Sequence, residues 1–196
     1  MRILNWIATA IITLIIVGCA HTVSIDPGMD RIQQTAKPPR IDKTVAYYIP
    51  QELQFKQVIT PGGGNDKVRY APYNDIEMGF YKMLSNVFSK VVKIHSPKDI
   101  DLLTQNKVSF IVLPEIATNS SSSNTFTWPP TSFNLELTCK ITDINGAIIV
   151  TPTVHGEGKA AFSEFKRDAG LSGRRASIDA LLKMQDTLLN DPLLRK

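Results

Sequence analysis

The segment "FNLELTCKITD" (133–143) constrains the fold of this chain more than any other stretch. Phe133, Leu135, Leu137, Cys139 and Ile141 alternate with polar residues, which predicts a strand with one buried face and one solvated face. Asn145-Gly146 and the run "AIIVTPTVHGEGKAAF" come next, and Asn-Gly between two such runs predicts a hairpin. A sheet with one apolar face has to be covered, so the rest of the chain must supply the cover. On this alternation Cys139 enters the core as a small apolar side chain and a free thiol.

Two amphipathic segments fit that role. In "NDIEMGFYKMLSNVFSKVV", Ile76, Phe80, Met83, Leu84, Val87, Phe88 and Val91 recur at three- and four-residue spacing, opposite Glu77, Lys82, Asn86 and Lys90; Asn74 or Asp75 can cap this helix. "SGRRASIDALLKMQDTLLN" forms a closing helix with Ile178, Leu181, Leu182, Leu188 and Leu189 inward, Ser172 as candidate cap and Asp191-Pro192 as its stop. "PKDIDLLTQN" is a shorter helix with Pro97 in its first turn. "TVAYYIP" (44–50), "LQFKQVIT", "KVRYAPY" and "KVSFIVLPEI" are further strands, the second and third paired around "PGGGND" and the fourth broken at Pro114. The expected class is α+β, a mainly antiparallel sheet with two main helices packed on one face, residues 44–196 forming one domain.

The amino terminus sets location. Arg2 precedes an apolar run from Ile3 to Gly18, shorter than the roughly 20 residues of a spanning helix, and reads as a signal peptide over residues 1–18. Ile16-Val17-Gly18-Cys19 resembles the bacterial lipobox, an aliphatic residue and two small ones before a cysteine that is acylated. The resemblance implies a lipoprotein anchored to the bilayer by acyl chains such as palmitate on Cys19. Each buried methylene contributes about 0.8 kcal/mol, so two or three chains hold a domain durably. In two-membrane bacteria Asp after the lipidated cysteine retains a lipoprotein in the inner membrane, so Ala20 implies the outer membrane, on its periplasmic side. Residues 19–43, polar with Pro27, Gly28, Pro38 and Pro39, lack periodicity and read as a flexible lipidated tether. The element order after it resembles small envelope lipoproteins: YajG-like proteins, lipopolysaccharide-assembly lipoproteins and the TolB amino-terminal domain. Such proteins mostly serve as adaptors or assembly factors without catalysis.

Little in the chain points to catalysis. The net charge of +4 arises from 22 Lys and Arg mixed with 18 Asp and Glu, a solubility feature that argues against nucleic acid as partner. His21, His95 and His155 fall at no metal-ligand spacing, and neither a catalytic residue, a metal nor a cofactor is expected. "TPGGGND" lacks the Lys-Ser/Thr of a phosphate-binding loop, and Gly156 and Gly158 in "HGEGKA" suit a bend or a closely packed helix. The loop "NTFTWPPTSF" holds Phe126 and Trp128 beside Pro129 and Pro130, apolar groups suited to an envelope protein partner; the alternative is Trp128 folded back over a sheet edge. Arg174-Arg175 is a candidate contact for an acidic partner or lipid phosphate, or a solvated helix face. The expected function is therefore an adaptor or assembly factor in an envelope complex or transport machine. A lipid- or glycan-binding module is the alternative, and a cell-wall or lipid hydrolase using His95 or His155 a further one.

Overall fold

The computed structural model describes residues 20–33, 38–123 and 127–196; the signal run, Cys19 and Phe126 lie outside them. A small three-stranded sheet joins β1 (Ala20–Thr22), β4 (Lys67–Tyr70) and β3 (Val58–Pro61) in the order β1-β4-β3. The main sheet runs β5-β2-β6-β7, formed by β5 (Phe88–Lys93), β2 (Ile41–Tyr47), β6 (Val108–Ser121) and β7 (Ser132–Thr142). Beyond β7 lie β8 (Ile148–Val150) and β9 (Thr153–Lys159), which share its outer edge. The helices are α1 (Gln51–Gln54), α2 (Pro72–Val87), α3 (Ile100–Gln105), α4 (Phe162–Phe165) and α5 (Leu171–Leu189).

The α+β class holds, with a mixed sheet: β2 pairs in parallel with both β5 and β6, and only β6 through β9 form the antiparallel half. The parallel half requires crossovers, which α2 and α3 supply. Both long helices cover one face. Val45, Tyr47, Phe133, Leu135, Leu137, Cys139 and Ile141 meet Ile76, Phe80, Met83, Leu181, Met184 and Leu188 in one buried cluster. The short helix α3 seals the opposite face through Leu103, against Ala46, Val108 and Ile111. Gly156 and Gly158 let α5 settle onto β9: a Cβ at Gly156 would collide with the Ala176 carbonyl and the Ala180 amide, and one at Gly158 with the Ser172 carbonyl.

Pro114 does not end β6, and the pairing explains why. Pro114 lies opposite Cys139. Cys139 donates its N–H at 3.0 Å to the Pro152 carbonyl on the far side, so this is a non-hydrogen-bonded pair and the Pro114 nitrogen faces the side of β2. The β2 ladder ends opposite Val112, so no bond is lost there. Pro152 itself divides the hairpin's return strand into β8 and β9.

The expected tether is the main correction. Residues 20–33 have little regular structure yet belong to the domain: Ile25 and Ile32 are fully buried and Val23 is close to it. Asp75, expected as a cap, instead accepts the Ile25 N–H at 3.0 Å, while Pro72 opens α2. Asn86, expected on the solvent face, is buried; it donates to Gln185 Oε1 at 2.8 Å and to the Ile32 carbonyl at 3.1 Å. Gln185 donates to the Gln33 carbonyl at 3.0 Å. Two long helices thus spend polar side chains on an irregular backbone that has no ladder of its own. Ser172 is also no cap: it is buried and donates to the Pro130 carbonyl at 2.9 Å.

Candidate functional site at the amino-terminal end

One end of the molecule gathers several segments around Ala20. Strand β1 runs parallel to β4 with Ala20 opposite Lys67, so the chain entering at Ala20 comes from the β3–β4 turn. The loop before β7 is tied to that turn, because Gly63 donates its N–H to the Trp128 carbonyl at 3.0 Å. A Cβ at Gly62 would strike the same carbonyl, which is why the turn needs glycine there. Since β7 begins where β9 ends, with Ser132 opposite Lys159, α4 emerges at this end too.

Trp128 stacks on His21 with ring centroids 4.1 Å apart, and His21 Nε2 lies 3.6 Å from Asp66. The described part of the loop folds back onto the domain. Pro129 and Pro130 are buried and Trp128 is half-buried against the core, so the alternative of a Trp folded back over the sheet edge describes the geometry. His21 and Trp128 are both half-buried, and the stack shields the facing sides of the two rings.

Two depressions open here. One, of about 740 Å³, lies along the β3–β4 hairpin between Ile59, Thr60, Asp66 and Ser122-Ser123. The other, of about 420 Å³, runs between Trp128 and Pro129 on one side and Phe162, Phe165, Lys166 and Arg167 on the other. Phe162 is 57% exposed beside Phe165, which is buried. Sequence reading missed this aromatic and basic edge because it treated Phe162 as a strand end; "FSEFKRD" carried the signal, two aromatics followed by two cations.

Arg174 and Arg175 are already engaged. Arg174 pairs with Asp168 at 3.1 Å, and Arg175 holds Glu164 through bonds of 2.7 and 3.0 Å while donating to the Lys159 carbonyl. The Arg175 guanidinium and the Ala161 N–H hold the Glu164 carboxyl down from the ordinary 4.5 to about 2. The pair lines a polar depression of about 610 Å³ shared with Asp26 and Asp30. The helix faces a solvated surface whose cations neutralise local acids, so an acidic partner would have to displace existing bonds.

His155 lies directly opposite Glu136 across β9 and β7, with 3.4 Å between Nδ1 and the carboxylate. Both side chains stand largely exposed on the uncovered sheet face, an ordinary cross-strand pair. His95 is exposed after β5. Cys139 is fully buried, and burial pushes its thiol far above the ordinary range, which keeps it protonated and unreactive. Among the described residues no three His, Cys, Asp or Glu converge as a metal site, and no helix is long and apolar enough to cross a membrane.

No family model matches the chain, and no curated protein matches it. Among solved structures it is similar to a Xanthomonas campestris protein of family DUF330, with TM-score 0.45 and 9% identity over 87% of this chain and 90% of that one. It is also similar to a Helicobacter pylori protein described as a homologue of a neuraminyllactose-binding hemagglutinin, with TM-score 0.43 and 12% identity over 82% and 90% of the two chains.

Proposed function

We propose that this chain is a lipid-anchored outer-membrane lipoprotein without catalytic activity, serving as an adaptor or assembly factor in an envelope complex. The observation that carries the reading is the lipobox-like Ile16-Val17-Gly18-Cys19 at the end of the short apolar run. The lipobox puts the mature amino terminus at Cys19, next to Ala20, which is paired with Lys67. Cleavage there removes the apolar run and keeps Ala20–Thr22 in the mature chain. Ala20 supports the outer membrane, since it is not the Asp that retains such proteins inside. The lack of catalysis is supported by how the reactive groups are used: Cys139 is sealed, the arginines are paired, and His155 with Glu136 stands largely exposed on an open strand surface rather than in a cleft. The test is in-cell crosslinking of the lipidated protein followed by affinity purification. Specific recovery of an envelope protein is expected, and recovery of none above background would reject the adaptor role.

The cleft of about 740 Å³ along the hairpin favours a second reading, a module binding lipid or glycan. Its apolar wall includes the exposed Ile59. Native mass spectrometry of protein extracted from membranes would then show a retained small molecule that Ile59→Arg loses; a bare mass in both would reject it.

A further inference from the structure

We propose that the end of the domain built from Ala20, the β3–β4 turn and α4 lies directly on the membrane surface, with Phe162 at the interface and Lys67, Lys166 and Arg167 facing lipid phosphate. This rests on the lipidation of Cys19 proposed above. A flexible tether would let the domain float free, but residues 20–33 are packed into it, so the acylated cysteine directly precedes Ala20, the first described residue of β1. One residue spans at most about 3.5 Å. A face at this end must therefore touch the bilayer, and the parallel register of β1 on β4 identifies it as the end bearing the β3–β4 turn.

The chemistry of that end suits an anionic lipid surface. Two of its acids are neutralised from within, Glu164 by Arg175 and Asp168 by Arg174, and Asp66 lies 3.6 Å from His21. Among the described residues no carboxylate pairs with Lys67, Lys166 or Arg167. Lys166 and Arg167 share the groove of an exposed Phe162, an aromatic group with cations beside it as in interfacial membrane segments, and Lys67 stands exposed at the β3–β4 turn of the same end. Trp128 forms the opposite wall of the same groove and lies against His21, next to the entry point of the anchored chain.

The test uses the mature lipidated protein reconstituted into vesicles containing phosphatidylglycerol. A single environment-sensitive fluorophore is placed at Ser163→Cys on α4, or at Ile144→Cys at the far end of β7; Cys139 is buried and will not label. Lipids bearing a quencher near the headgroup should quench the label at 163 severalfold more than the label at 144. Lys166→Glu with Arg167→Glu should reduce that difference severalfold, and since both residues are exposed the fold should be unaffected. Equal quenching at 163 and 144, in protein whose mass confirms the acyl chains, would overturn the inference while leaving the anchor intact. Protein found without acyl chains would instead overturn the anchor. Protection of 163 that appears only with added envelope proteins, without quenching by lipid, would assign this face to a protein partner and overturn the inference as well.

Discussion

The tightest positions are single residues where packing leaves no room. Gly156 faces the Ala176 carbonyl and Ala180, backbone atoms of α5 that a side chain cannot push aside without moving the helix. Gly156→Ala should destabilise the domain by about 3 kcal/mol, the upper part of the overpacking range, measurable by chemical denaturation. At Cys139 the difficulty is polarity. Serine is the same size, but its hydroxyl would sit in a fully buried apolar site, and Cys139→Ser should cost about 1 to 3 kcal/mol. A third residue sets a pH dependence. The folded Glu164 carboxyl sits at about 2, below its ordinary 4.5, so its contribution is complete above pH 4.5 and disappears as the pH falls towards 2. Glu164→Gln should therefore lower the melting temperature at pH 7, and the gap between variant and wild type should close by pH 2.

Among the elements, the amino-terminal segment is held in place by its backbone. Asp75 accepts the N–H of buried Ile25, and burial raises its carboxyl pKa against the pull of that bond. Asp75→Ala should leave the N–H unsatisfied at about 1 to 3 kcal/mol and speed hydrogen exchange across residues 23–33, whereas Asp75→Asn keeps an acceptor and should restore most of the loss. Periodicity made the hairpin of β7 and the faces of α2 and α5 legible, because each buries one regular stripe; the strand read over residues 53–60 holds only from Val58, since Gln51–Gln54 turn helical and Phe55 is exposed. It failed where tertiary context decides. "SKVV" continues the helical pattern of α2, yet the chain turns extended at Phe88 to lie beside β2 as β5, a pairing with no local signal. Pro114 looked like a break because its effect depends on where the neighbouring strand ends. Residues 20–33 are irregular, and irregularity alone does not distinguish a solvated tether from a segment packed between helices. Of the candidate site, Ala20 and Trp128 were named from the sequence; the gathering of Lys67, Trp128 and Phe162 at one end needs the sheet register to be seen.

At the scale of the whole molecule, the difference between a tether and a packed segment can be measured. Deleting residues 20–33 after Cys19 would leave the lipobox intact, so lipidation should continue; Cys19→Ser should abolish palmitate incorporation while leaving the domain sequence unchanged. The deletion strips the core of Val23, Ile25 and Ile32, each contributing about 1.5 to 3 kcal/mol when buried. It also removes the carbonyls that Asn86 and Gln185 bond, and an unsatisfied buried amide costs about 1 to 3 kcal/mol. The losses together approach the whole stability of a domain, about 5 to 15 kcal/mol. The deleted protein should therefore be lipidated yet unfolded, seen as palmitate labelling together with rapid cleavage by added protease. A flexible tether of the same length would be removed at no cost, so a protease-resistant deletion product would show that the domain does not depend on these residues. The same outcome would remove the short attachment on which the proposed contact of this end with the bilayer rests.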